Sequence, residues 1–215
     1  MRNFGIPDVL FILGTLPTTL LLSLATIVCG LIGGVLLALA RSSDIKVLQA
    51  LAVIYIRLFQ GTPLLIQILV AFFAPSFFLG TDVSGWTAAL IALTLNAIAY
   101  AAEIIRGCLE AVPRGQWEAS RALGLNYIDR MRDIVLPQAF RIAVPPLIGL
   151  GVQIVKGTSL ASVVGLVELT KAANRVNALT FEPIPAFGTV CIAYFAICWP
   201  LSMLGRHLER KRRFA

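Results

Sequence analysis

The chain has 215 residues, of which 58% are hydrophobic and only 13% charged, and its mean hydropathy is +0.87. A soluble domain has roughly a quarter of its residues charged, so the composition excludes an ordinary soluble fold and indicates that most of the surface faces a lipid bilayer. The formal net charge of +7 does not indicate a nucleic-acid partner, because no basic stripe is interleaved with aromatic residues.

Long runs without charge predict membrane spans. A transmembrane α-helix needs ~20 apolar residues, and in lipid every backbone group must be hydrogen-bonded within its own segment. The apolar residues do not alternate at period two, which argues against a membrane β-barrel. The first run is too long for a signal peptide, so we expect it to be retained. The sequence predicts an all-α integral membrane protein of one domain, 1–215, with five spans at approximately 16–40, 58–80, 84–105, 140–165 and 185–206.

Small and polar positions in the first and third spans predict contacts between helices. Gly30, Gly34 and Ala38 follow at intervals of four, a spacing that lets two helices approach closely. Because glycine is common in membrane helices, chance explains the pattern equally well. In the third span Asn96 and Tyr100 lie four apart on one face, and we expect them to hydrogen-bond to neighbouring helices.

A helix break is predicted near the start of the second span. Gly61 and Pro63 flank Thr62, and broken backbone survives in a membrane only where protein or a water-filled cavity surrounds it. The break therefore indicates either backbone that is surrounded by protein or by a water-filled cavity, or a simple turn at the membrane interface. Gln67, one turn beyond, either faces a pathway or hydrogen-bonds to another helix.

The only long hydrophilic stretch, approximately 107–138, predicts two short helices joined by a glycine turn. The first is expected over 114–123 and is followed by Gly124, which supplies the left-handed conformation that ends it. Asn126 is suited to cap the second helix, and Pro137 is expected to close it before the fourth span. Such a unit has little to bury against by itself, which favours a docking element.

The first short helix carries a smooth face suited to a partner's groove. Ala119 and Ala122 lie three apart on that face, and Glu118 and Arg121 flank it. The alternative is an amphipathic helix on lipid headgroups, with Trp117 as its anchor.

The fourth span contains a deep charge, Lys156. A cation about 21 Å into a span, at 1.5 Å per residue, is costly and by default marks a functional site or a buried partner. Either Lys156 faces a cavity and holds a solute carboxylate, or it snorkels outward or pairs with Glu168. Gln153, Thr158 and Ser159 flank it as weaker pathway candidates.

Basic residues are strongly biased to one side of the predicted spans, which sets the orientation. The N-terminus is expected outside and the C-terminus in the cytoplasm, as an odd number of spans also requires. Fourteen of the 18 Lys and Arg fall on the cytoplasmic side, namely Arg41, Lys46, Arg57, Arg106, Arg114, Arg121, Arg130, Arg132, Arg141, Arg206, Arg210, Lys211, Arg212 and Arg213.

Little in the sequence predicts catalysis or metal binding. The four cysteines show no CxxC spacing, and His207 is the single histidine, so we expect neither a metal site nor a disulfide framework. The chain contains no GxxxxGK[ST] motif and no Gly-Lys pair, so we expect it not to bind ATP by itself.

The hydrophilic loop resembles the EAA loop of ABC importer permeases, in which Glu-Ala-Ala, Gly, Ile and Leu-Pro occur at fixed spacing. Here the matching residues depart only at Ser120, which replaces the second alanine: Glu118, Ala119, Ser120, Gly124, Ile134, Leu136 and Pro137. Further segments are similar to the permeases for polar amino acids: 61–67, 100–107, 113–116, 136–139 and 156–160. Three positions depart from that group's usual residues: Gln60, Gly149 and Gly157.

The resemblance implies a permease subunit of an ATP-driven importer for a polar amino acid in the bacterial inner membrane. It implies a dimer with an identical or similar permease, an external substrate-binding protein, and a separate ATPase that holds ATP and Mg²⁺. The implied coupling residues are Glu118, Ala119, Ser120, Ala122 and Gly124. The candidates for the pathway are Lys156, Gln153, Thr158, Ser159, Gln67 and Thr62.

Two other classes remain open from the residues. An intramembrane enzyme or lipid transferase without an ATPase partner needs clustered acids, histidine or a nucleophile, and the loop glutamates have no accompanying histidine. A stand-alone channel or secondary carrier often shows inverted repeats, which the sequence lacks.

Overall fold

The computed structural model describes residues 2–213, with side chains through residue 210. The described chain is helical and without strands, which confirms the all-α prediction. Its helices are α1 (Ile6–Leu13), α2 (Leu16–Arg41), α3 (Lys46–Gly61), α4 (Leu64–Leu79), α5 (Gly85–Glu110), α6 (Arg114–Ala122), α7 (Tyr127–Asp129), a π-helical segment (Arg130–Val135), α8 (Leu136–Gly157), a 3-10 segment (Thr158–Val164), α9 (Leu169–Thr180) and α10 (Pro183–Arg213).

Helix α5 lies at the centre of the bundle and packs through small side chains. Its contact with α2 is close: a Cβ added at Gly30 would lie 2.7 Å from the Ala97 Cβ, and one at Gly34 would lie 2.5 Å from the Ala101 Cβ. The glycine spacing predicted from sequence therefore marks a close contact between two spans of this chain, and chance does not explain it. The buried alanines of α5 are Ala88, Ala89, Ala92, Ala97, Ala99, Ala101 and Ala102.

The second predicted span, 58–80, is broken near its start, which confirms the helix break predicted from Gly61 and Pro63. Helices α3 and α4 meet at an angle of 105°. Pro63 has no backbone N–H and disfavours helical geometry in the residue before it, and Thr62 is accordingly extended (φ −119°, ψ 144°). Within the described residues, four helical stretches are long and apolar enough to cross a membrane, or five if this bent pair forms one span.

The helix that contains the fourth predicted span begins well before that span. Helical winding is continuous over 127–164, through α7, the π-helical segment, α8 and the 3-10 segment. Pro137 therefore does not close a second short helix; it lies in the first turn of α8. The wider π-helical turn that precedes it leaves room for the proline ring, so the helix continues into the span.

The bundle has two ends, which we name for their helices. At the α6 end, Arg41 at the end of α2 contacts Glu103 near the end of α5. At the α9 end, the start of α5 meets the 3-10 segment so closely that a Cβ at Gly85 would lie 2.4 Å from the Val164 carbonyl oxygen. Helices α1, α9 and the start of α10 pack there around Ile12 and Leu169.

Candidate functional site

Helix α6 ends at a glycine whose backbone has the left-handed conformation. It covers Arg114–Ala122, close to the predicted range, and Gly124 has a φ of +72°, a conformation that costs other residues about 1–2 kcal/mol. The Leu125 amide donates to the Ser120 carbonyl at 3.2 Å. Asn126 then caps α7 by accepting from the Asp129 amide at 2.9 Å, as predicted.

The five predicted coupling residues do not share one environment. Glu118, Ala119, Ala122 and Gly124 are exposed on or beside α6. Ser120 is fully buried, and its hydroxyl donates to the Trp117 carbonyl at 2.8 Å. Ser120 therefore packs α6 onto the bundle, while the other four remain accessible to a partner.

Trp117 fixes α6 to the bundle. Its ring packs against the buried cluster that contains Val112, Val135 and Ala139, and the Arg130 guanidinium lies 5.9 Å from the ring centroid. An indole held in a protein cluster is not free to act as the lipid anchor considered as the alternative.

Three exposed apolar residues around the glycine turn escaped the sequence analysis. Leu123, Tyr127 and Ile128 are 76%, 63% and 72% exposed at the α6 end. Their signal was available, since they are apolar side chains within an otherwise hydrophilic loop. They extend the accessible surface of α6 with an apolar area.

An ion-pair cluster joins α2 to α5 near the same end. Glu103 accepts from Arg106, three residues further along α5, at 2.6 Å and also contacts Arg41. Arg106 contacts Glu110 as well. The cluster joins the last turn of α2 to α5, the helix that precedes α6.

At the helix break, Gln67 supplies the hydrogen bonds that the backbone lacks. Its side-chain amide donates to the carbonyl oxygens of Phe59 (2.9 Å) and Thr62 (3.1 Å) and to the Thr62 hydroxyl (2.8 Å). Asn96 of α5 donates to the Gln67 side-chain oxygen at 3.0 Å. This confirms hydrogen bonding between helices for Gln67 and Asn96, and it shows how the break is tolerated in an apolar bundle.

A polar pocket of about 220 Å³ lies beside the break. It brings together Thr62 and Gln153, two predicted pathway residues, with Asn96 and Tyr100 of α5. The residues come from three separate parts of the chain, namely the break, α5 and α8, so only the fold assembles the pocket. Its remaining lining residues are Pro63, Leu64, Leu93, Leu150 and Ile154.

Gly157 lets α8 approach this pocket closely. A Cβ at that position would lie 3.3 Å from side-chain carbons of Leu64 and Leu93, so the Asp or Asn usual in the amino acid permeases would require those leucines to move. Gly149 has open space around it. The Gln60 side chain reaches the Ala99 carbonyl oxygen at 3.4 Å.

On the opposite side of the break lies a larger, apolar cavity of about 640 Å³. It occupies the angle between α3 and α4 and shares Thr62 and Gln67 with the network at the break. Phe59, Phe78 and Leu95 contribute to its walls. Thr62, at the break, thus borders two cavities, one polar and one apolar.

Lys156 lines a third space, a groove of about 610 Å³ between α8 and α10. Ser159 and Arg206 line the same groove, so Lys156 and Ser159 do not join Gln153 in the polar pocket. Among the described side chains Lys156 forms no ion pair with Glu168, so the predicted pairing is wrong. Thr158, also a pathway candidate, is fully buried.

Glu168 instead caps α9. It is fully buried, and its carboxylate accepts from the backbone amides of Thr170 (2.9 Å) and Lys171 (2.8 Å) and from the Tyr194 hydroxyl (3.0 Å). Burial raises the pKa of Glu168, and the hydrogen bonds from the two amides lower it in part. The sequence analysis missed both this cap and the role of Tyr194.

A bundle of membrane-length helices with a polar pocket beside a broken span, and a short helix packed outside it, is the architecture of a helical integral membrane protein. No group of three or more His, Cys, Asp or Glu within residues 2–210 is placed to hold a metal.

The chain belongs to the family of binding-protein-dependent transport system inner membrane components, which it matches over residues 30–214. This confirms the resemblance to ABC importer permeases. It is 33% identical to the arginine transport system permease protein ArtQ of Bacillus subtilis, covering 96% of this chain and 94% of that protein. It is 36% identical to the histidine/lysine/arginine/ornithine transport system permease protein HisM of Salmonella typhimurium, covering 90% and 86%.

Solved structures agree with the fold. A crystal structure of an amino acid ABC transporter with histidines matches with a TM-score of 0.89 and 32% identity over 94% of each chain. An inward-facing structure of the MetNI methionine ABC transporter matches with a TM-score of 0.73 at 22% identity, covering 97% of this chain and 99% of that one. The second likeness concerns the fold alone.

Proposed function

We propose that this chain is the permease subunit of an ATP-driven importer for a polar amino acid. The single observation that carries the proposal is family membership together with the names of the similar proteins, which are transport system permeases for arginine and for histidine, lysine, arginine and ornithine. The chain forms the pathway as a dimer with an identical or similar permease. It serves transport and has no catalytic site of its own.

The pathway runs past the polar pocket beside the break. Thr62, Asn96, Tyr100 and Gln153 present hydroxyl and amide groups there, which suit the polar groups of an amino acid. Lys156 and Ser159 belong to the α8–α10 groove, and they reach the solute only if that groove joins the pathway in the dimer.

The α6 end faces the cytoplasm and binds a separate ATPase, which holds ATP and Mg²⁺. Glu118, Ala119, Ala122 and Gly124 are accessible there, and Leu123, Tyr127 and Ile128 add apolar surface. Because Ser120 and Trp117 fix α6 to the bundle, a displacement of α6 by the ATPase is passed to α8. The C-terminus shares this side, the N-terminus lies outside, and an external binding protein delivers the solute to the α9 end.

The test is to co-express the chain with the ATPase, binding protein and any second permease encoded beside it, and to reconstitute the complex. We expect Glu118→Ala to lower transport and solute-dependent ATP hydrolysis roughly tenfold, since losing a hydrogen bond to a charged group costs ~1.5–3 kcal/mol. Asp133→Ala removes another exposed carboxylate of the same loop and is the matched control.

Full activity of Glu118→Ala would show that the coupling role of that residue is wrong. The function itself would be wrong if no ATP-hydrolysing subunit co-purified with the chain, or if the isolated chain bound nucleotide.

A further inference from the structure

A buried hydrogen-bond network connects four elements at the α9 end. Its centre is the Glu168 carboxylate, which is fully buried. The Tyr194 hydroxyl of α10 lies 3.0 Å from a Glu168 oxygen and 3.3 Å from the Thr158 hydroxyl of the 3-10 segment. The amide of Leu169, next to Glu168, donates to the Thr19 hydroxyl of α2 at 3.4 Å.

A carboxylate at this position is expensive unless its hydrogen bonds are satisfied. Capping explains part of its cost, since two backbone amides of α9 donate to it. Capping does not explain why the Tyr194 hydroxyl of α10 donates to this carboxylate. Ser, Thr, Asp and Asn side chains cap helices without a hydrogen bond from another helix. The additional contact links elements that are distant in sequence.

The network is connected to the polar pocket through α8. Gln153 and Ile154 line that pocket, and Thr158 lies one helical turn beyond Ile154, where α8 gives way to the 3-10 segment. Because the Tyr194 hydroxyl donates its one hydrogen to Glu168, the one hydrogen of the Thr158 hydroxyl is donated either to Tyr194 at 3.3 Å or to the Val155 carbonyl at 2.7 Å. Fixing Thr158 therefore fixes the end of the helix that forms one wall of the pocket.

Helix α9 is the exposed partner in this arrangement. Leu179 and Phe181, at its far end, are 66% and 65% exposed, whereas Glu168 at its start is buried. A molecule that binds at the α9 end can contact this exposed part of α9, and a displacement of α9 would reach Thr158 through the contacts of Tyr194 with Glu168 and with Thr158.

We propose that Glu168, Tyr194 and Thr158 are positioning residues that transmit displacement of α9 to the pocket-lining end of α8. The inference rests on the proposed transport function, in which a loaded binding protein contacts the α9 end. The three residues hold the helix that lines the pathway; they do not touch the solute.

The test uses the reconstituted complex and measures ATP hydrolysis alone and with increasing loaded binding protein. We expect Tyr194→Phe, which keeps the ring and removes the hydroxyl, to lower maximal stimulation roughly tenfold to a hundredfold, as expected for losing a hydrogen bond to a charged group. Basal hydrolysis and the binding-protein concentration at half-maximal stimulation are expected to stay at wild-type values, while the melting temperature falls because a buried carboxylate loses one hydrogen bond. Thr158→Val is expected to lower stimulation in the same way, and the double variant to be no worse than Tyr194→Phe, since the residues act in series.

Thr189→Val is the matched control, because its hydroxyl bonds only within α10, to the Pro185 carbonyl at 2.9 Å. Wild-type stimulation in Tyr194→Phe would overturn the proposal. A parallel fall of basal hydrolysis would reduce the network to a structural role, and a rise in the half-maximal concentration would assign the residues to docking; both also overturn it. If the wild-type complex shows no stimulation, the proposed function fails, and this inference with it.

Discussion

Two neighbouring contacts of α5 are built on opposite principles. Against α2, it packs by direct contact of small residues, with Gly30 and Gly34 seated on Ala97 and Ala101. Against α3 and α4, it is joined by side-chain hydrogen bonds: Tyr55 donates to the Leu95 carbonyl, and Asn96 donates to Gln67.

The difference separates a fixed contact from an adjustable one. Small residues in close contact leave no space into which either helix can move, and a packed interior transmits strain rather than absorbing it. Hydrogen bonds to a broken helix can instead be exchanged for bonds to water or to a solute. We therefore expect the α2 side to act as a fixed scaffold and the α3–α4 side, which borders the polar pocket and the apolar cavity, to act as a movable wall.

The strongest challenge to this comparison is to crowd the scaffold. Gly34→Leu places a side chain where even a Cβ would lie 2.5 Å from the Ala101 Cβ, so α2 must separate from α5. We expect a loss of about 3 kcal/mol or more in the free energy of unfolding, seen as a loss of folded protein in detergent on size-exclusion chromatography. Gly188→Leu, at a glycine with open space around it, is the control; a well-folded Gly34→Leu variant would contradict the comparison.

Removing the hydrogen bonds at the break tests the movable wall. Gln67→Leu deprives two carbonyl groups and Asn96 of their partner, and we expect it to cost about 1–3 kcal/mol, with transport reduced more than thermal stability. Gln49→Leu, at an exposed position on α3, is the control. Unchanged transport by Gln67→Leu would mean that the break does not border the pathway.

The smallest expected effect is that of Tyr55→Phe. Its hydroxyl donates to the Leu95 carbonyl at 2.8 Å, and removing it is expected to cost about 1 kcal/mol, measured as a lower melting temperature. Tyr127→Phe, whose ring is 63% exposed, is expected to melt like the wild type. A large loss in Tyr55→Phe would show that the α3 side is as rigid as the α2 side.

The sequence predicted those features of the helices that depend on a few adjacent residues. Gly124 specified the left-handed turn and Asn126 the cap of α7, because both depend on a few adjacent residues. Pro137 was misread, because a proline stops a helix only if the preceding turn cannot adapt, and here that turn is π-helical. The break near the start of the second span was predicted from Gly61 and Pro63, but local signals did not specify its angle of 105°.

By itself, the sequence determined the apolar helices, the hydrophilic loop and the family, because hydrophobicity, turn-forming residues and motif spacing are read along the chain. The tertiary structure alone decided which polar residues meet. It placed Gln153 in the pocket with Asn96, turned Lys156 to another groove, and gave Glu168 to Tyr194 instead of to Lys156. The reason is geometric: residues three apart on a helix point about 60° apart, and packing settles which of them faces a neighbour.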